Sequence, residues 1–129
     1  MGNGAILGAA SFVVILAAAQ GCGEAKTCTL QAVVGIVVTV QSDGGDICDA
    51  VVSIQDGTYQ ETLQSVTDSD GGCIYRGADE RAGSYAVTVT REGFVPATTA
   101  ATVSKDSSGC HVVPQFVTVD LQAVGDAGR

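Results

Sequence analysis

Between Thr29 and Gln122 the apolar side chains fall on every second position in short runs, and this alternation constrains the fold more than any other feature. Val34, Ile36, Val38 and Val40 form one set, Cys48, Ala50, Val52 and Ile54 a second, Tyr85, Val87 and Val89 a third, and Val117, Val119 and Leu121 a fourth. An extended chain sends successive side chains to opposite faces, so a period of two builds strands with one buried face and not amphipathic helices. The runs are separated by Asp56-Gly57, by Asp68-Ser69-Asp70-Gly71-Gly72 and by Glu92-Gly93, residue types that supply turns. Cys73 and Tyr75 share a face after the second of these turns, and Pro114 stands just ahead of the last run, where a missing N–H costs little.

A chain of 129 residues has room for one such domain. Its core is thin: there is no Trp, and beyond the first twenty residues the large aromatics are Tyr59, Tyr75, Tyr85, Phe94 and Phe116. Small domains with thin cores are commonly stapled, and five cysteines are available. The formal charge is −8, and Lys26, Arg76, Arg81, Arg91, Lys105 and Arg129 are scattered. Nucleic-acid binding needs a concentrated basic surface and is excluded as a class. Electrostatic attraction to anionic lipid is disfavoured for the same reason.

From Ala5 to Ala19 the chain is uncharged and apolar, and the first charged residue is Glu24. This stretch is short for a spanning helix, which needs about 20 apolar residues. Gln20-Gly21-Cys22 follows it and resembles a bacterial lipobox, with Ala19 where Leu is usual and Gln20 where a small residue is usual. The resemblance implies a lipoprotein signal peptide over 1–21, forming a helix, and a diacylglycerol on the thiol of Cys22. Residues 22–27 would be a short tether, and the membrane a partner through the N-terminal lipid. An ordinary signal peptide cut near Ala19 and a retained anchor helix are the competing readings. Gly23 is not the aspartate that some bacteria use for inner-membrane retention, which favours the outer membrane within the cell envelope. With Cys22 acylated, Cys28, Cys48, Cys73 and Cys110 remain as an even set with three possible pairings.

The ordered segments ICDAVVSI, SVTDSDGGCIY, AGSYAVTVTREGF and FVTVDL are similar to those of the carboxypeptidase regulatory-like domain. That resemblance implies an all-β fold, a seven-stranded transthyretin-like, Ig-like Greek-key β-sandwich over 28–122, followed by a flexible tail over 123–129. Cys73 takes the place of the first aromatic of the family's fourth strand, and Cys48 takes an apolar place two residues before Ala50, so both are expected to face inward and to form a disulfide. In the transthyretin-like topology the first and last strands run parallel and adjacent, which pairs Cys28 with Cys110 ahead of them. The family implies an accessory module binding protein or glycan rather than a peptidase. The alternative is a soluble secreted transthyretin-like carrier of small ligands, whose oligomers would enclose an apolar channel.

No arrangement of residues marks a catalytic site. His111 is the single histidine, whereas a zinc peptidase requires at least two with a carboxylate. Tyr75-Arg76-Gly77 resembles part of the C-terminal motif of hydroxyisourate hydrolases, but it is internal and lacks the serine. Zinc on Cys48, Cys73, Cys110 and His111 competes with disulfide formation, and no CxxC spacing is present. Asp68 and Asp70, with Asp43, Asp46 or Asp49 nearby, resemble a fragment of a calcium loop, but the run lacks the later ligands and reads as a β-turn. Glu80 and Arg81, ahead of Ser84, are expected to make a local ion pair or turn contacts. No cofactor, metal or catalytic residue is therefore expected.

Overall fold

The first alternating run becomes the central strand of one of two packed sheets. In the computed structural model, which describes residues 27–125, β1 (Ile36–Ser42) buries Ile36, Val38 and Val40 completely while Val37 and Thr39 stay half-exposed. Residues 1–26, with the expected signal peptide and Cys22, and residues 126–129 lie outside the described part. A two-residue arm, β2 (Gly45–Asp46), folds back on the end of β1 through a turn in which Asp43 and Gly44 both take positive φ. There follow β3 (Val51–Asp56), β4 (Tyr59–Thr62), β5 (Gln64–Thr67), β6 (Cys73–Gly77), β7 (Gly83–Thr90), β8 (Ala97–Val103) and β9 (Gln115–Asp120).

β1 lies between β6, antiparallel to it, and β9, parallel to it over six residue pairs from Ile36–Gln115 to Gln41–Asp120. β5 extends this sheet beyond β6. The second sheet has the order β4-β3-β7-β8 and is antiparallel throughout. Val52 and Ile54 of β3 and Tyr85, Val87 and Val89 of β7 face Ile36, Val38, Val40 and Tyr75 across the core.

Nine strand segments occur among the described residues where seven strands were expected, and two local features account for the difference. The hairpin arm β2 prolongs β1, and the run from Tyr59 to Thr67 breaks at Leu63 and changes sheets. β4 pairs with β3, β5 pairs with β6, and Leu63 at the corner is 5% exposed in the core. Val34 is only half-buried and lies ahead of β1, whereas Val38, Val52, Tyr75 and Val87 take the buried positions that the alternation assigns them. The ordered pairing continues past Gln122: Ala123 bridges Phe94, and the Val124 N–H donates to Gly93 O at 2.8 Å.

Two disulfides close the fold, Cys28–Cys110 and Cys48–Cys73, the pairing that the resemblance implies. Cys73 is buried as expected, but Cys48 is exposed, because β3 begins only at Val51 and Cys48 sits in the loop ahead of it. That loop is held from inside by Tyr75, whose hydroxyl donates to Ile47 O at 2.8 Å and accepts the Ala50 N–H at 3.0 Å. Burial pushes the Tyr75 hydroxyl pKa up, so it stays neutral and keeps both bonds.

Two outcomes follow for equilibrium urea unfolding. Tyr75→Phe leaves two backbone groups without their partner and is expected to lower stability by about 1–3 kcal/mol, moving the midpoint without changing the slope. The Cys28–Cys110 bridge spans 82 residues and Cys48–Cys73 spans 25. Removing the first is therefore expected to cost about 4.5 kcal/mol and removing the second about 3.5 kcal/mol in loop-closure entropy.

Candidate functional site

The Cys28–Cys110 bridge stands at the end of the sandwich where β1 and β9 begin, and the residues next to it form the densest polar cluster there. Thr29 Oγ1 lies 2.8 Å from His111 Nε2, and His111 Nδ1 lies 2.5 Å from Glu80 Oε1. The same Glu80 oxygen accepts the Val33 N–H at 2.6 Å, and the Glu80 N–H donates back to Val33 O at 2.9 Å. An ionised carboxylate only accepts, so Nδ1 carries the proton toward Glu80, and Nε2 faces the Thr29 hydroxyl.

Glu80 reaches this position because its loop is bent and braced. Ala78 and Glu80 both adopt left-handed backbone, with φ of 54° each, a conformation that costs a non-glycine residue about 1–2 kcal/mol. Gly35 lies beneath the loop, where an added Cβ would come within 2.4 Å of Ala78 O, so only glycine lets the chains approach this closely. Arg81 braces the other side. Its Nη1 donates to Asp56 Oδ2 at 3.1 Å and to the Tyr85 hydroxyl at 2.8 Å, and its guanidinium lies 3.7 Å from the centre of the Tyr59 ring. The Tyr59 hydroxyl donates to Glu61 Oε1 at 2.6 Å, and that oxygen also accepts the Ala78 N–H. The bond to Glu61, together with burial, pushes the Tyr59 pKa up to about 12.

Burial raises the Glu80 pKa, but the bond from His111 and the Val33 N–H outweigh it, and the carboxyl lies below its ordinary value of 4.5. The Val112 N–H adds to this lowering, and Oε2 is buried with no hydrogen-bond partner among the described residues. Of the ion pair or turn contacts expected of Glu80 and Arg81, the turn contact is present, with the Arg81 N–H donating to Ala78 O at 3.1 Å, and the two side chains do not pair with each other. Each reaches out separately, to His111 and to Asp56.

Hydroxyl, imidazole and carboxylate occur here in the bonding order of a nucleophile relay. Such a relay also needs a cleft at the hydroxyl. Thr29 is exposed, and the main depressions of the surface are lined by other residues. What the bonds share is a destination: from Glu80 and His111 they run to Thr29 and Val33, and the disulfide runs to Cys28. The cluster clamps the segment through which the chain enters the domain.

The other residues considered from the sequence lie elsewhere. Cys22 falls outside the described residues. Asp68 Oδ1 accepts the N–H groups of Asp70 and Gly72 at 2.9 Å each, which closes the turn on itself. Asp49 pairs with both Nε and Nη2 of Arg91, which holds its carboxyl below the usual range. Among the described residues no three His, Cys, Asp or Glu side chains gather to hold a metal, and Cys48, Cys73 and Cys110 are consumed by disulfides. Thr29, which the sequence did not single out, could have been found from the cysteines alone: bridging Cys28 to Cys110 brings their neighbours Thr29 and His111 together. Compared with protein-family models and with curated proteins, the chain matches none.

Because the folded pKa of Glu80 is depressed, its contribution to stability is complete above the ordinary value of 4.5 and is lost as pH falls through the lower folded value. Urea midpoints measured from neutral pH downward should show Glu80→Gln less stable than the parent at neutral pH. The two proteins should converge in acid, and a constant gap would contradict the assignment.

Proposed function

We propose that the protein is a non-catalytic, lipid-anchored component of a bacterial cell envelope, displaying a carboxypeptidase regulatory-like β-sandwich as an accessory module for protein or glycan binding. The cysteine balance carries this reading. All four cysteines of the domain are bonded to one another, which favours an oxidising, extracytoplasmic compartment and leaves Cys22, the residue of the lipobox-like segment, for the lipid. The clamp supports it as well, since a domain that hangs from its N-terminus gains from holding the entering chain in a fixed direction. Gly23 favours delivery to the outer membrane.

The finer fold belongs to the same proposal. Parallel adjacency of β1 and β9 supports the transthyretin-like arrangement. Counting β4 and β5 as one strand bent at Leu63, and β2 as an extension of the β1 hairpin, leaves seven strands, a number that supports the Greek-key reading. The proposed binding role needs no catalytic group, and the Thr29–His111–Glu80 cluster serves it by positioning the domain.

Metabolic labelling with an alkyne-bearing fatty acid tests the anchor. Wild-type protein is expected to take the label and Cys22→Ala to lose it along with membrane association, while an unlabelled wild type would overturn the reading.

A further inference from the structure

Two of the largest apolar side chains of the domain are left in solvent, and both lie at the end where the chain enters. Leu30 is fully exposed in the clamped segment, and Phe116 is 79% exposed at the start of β9, beside Val37 at the start of β1. Val113, also exposed, lies between the Cys28–Cys110 bridge and β9. We propose that this end of the sandwich rests on the phospholipid surface, with Leu30 and Phe116 inserted among the headgroups. The proposal builds on acylation of Cys22 and adds an orientation to it.

Reach is the first argument. Six residue steps separate Cys22 from Cys28, so an acylated Cys22 holds the bridge within about 20 Å of the membrane. The disulfide, the Thr29–His111 bond and the paired Val33–Glu80 bonds keep residues 28–33 at this end, and the tether cannot peel away to let the domain turn over. Placing the opposite end on the bilayer would require the tether, fully extended, to use its whole reach running back along β1, itself about 20 Å or more, and leaves nothing to reach the membrane from Cys28.

Charge is the second argument and is independent of the first. The strand directions send most carboxylates to the far end: Asp43, Asp46 and Asp49 lie around the β1–β3 connection, Asp68 and Asp70 in the turn before β6, and Glu92 and Asp120 at the ends of β7 and β9. Arg91 is the one basic residue among the described residues there. At the entry end Arg76, Arg81 and Lys105 offset most of the charge of Asp56, Glu61, Asp79, Glu80 and Asp106. An anionic surface repels the far end and tolerates the near one within a Debye length. The valines exposed at the far end, Val51, Val95 and Val124, stand among these carboxylates and are smaller. Aromatic and leucine side chains are the groups that favour the headgroup boundary.

The chain has no Trp, so a single introduced Trp reports its own surroundings. Full-length acylated protein carrying Leu30→Trp, Phe116→Trp or, at the far end, Val124→Trp is reconstituted into phosphatidylcholine–phosphatidylglycerol vesicles containing brominated phosphatidylcholine. Bromolipid is expected to quench L30W and F116W several-fold and blue-shift their emission, while V124W keeps its emission in water. Vesicle flotation is read on the same samples. Flotation without quenching of L30W and F116W, or with equal quenching of all three, overturns the orientation and leaves the anchor standing. Loss of flotation in every variant overturns the anchor and the orientation with it.

Discussion

The parallel ladder between β1 and β9 is the constraint on which the rest of the domain depends. It joins strands 79 positions apart at their first pair, Ile36 and Gln115, and so sets the two ends of the sandwich sequence side by side and pointing the same way. Everything at the entry end inherits its geometry from that pairing. Cys28 meets Cys110 and Thr29 meets His111 because the segments that carry them lead into the same end of the ladder. A contact this distant in sequence is entropically expensive to form, and the bridge beside it lowers that cost by restricting the unfolded chain.

A second layer of organisation lies in the loop from Ala78 to Ala82. Two left-handed non-glycine residues in five positions are tolerated because Arg81, held by Asp56, Tyr85 and the face of Tyr59, determines where the loop goes. The strain is thus local, and what it achieves is delivery of one carboxylate to the entering strand. The same residues close the edge of the core, since Ala78 is wholly buried and Tyr85 nearly so.

The strands legible in the sequence were those that hold an alternating run of Val or Ile against the core, β9 at a sheet edge included. β1, β3 and β7 have partners on both sides, and their Val and Ile residues alternate cleanly. β8 was not legible. As an edge strand of Ala and Thr it buries only Ala101 and Val103, so most of its length carries no pattern. β4 and β5 escaped notice for another reason: the chain changes sheets at Leu63, and the period breaks where the buried side switches. The disulfide pairing was implied by the family resemblance, since the cysteine positions alone left three pairings open. The clamp could not be read, because Glu80 reaches His111 across 31 residues through a backbone conformation that no residue type there announces.

The two bridges are nested, with Cys48–Cys73 lying inside the ring that Cys28–Cys110 closes. Every peptide bond from Cys28 to Cys110 therefore belongs to a covalent circle, and a protease that cuts any one of them opens the circle without releasing a fragment. A nick in the exposed Asp68–Gly72 turn would leave both halves attached twice over, through the outer bridge and the inner one. A first cut anywhere within the circle leaves a molecule of unchanged mass plus one water, its pieces still joined.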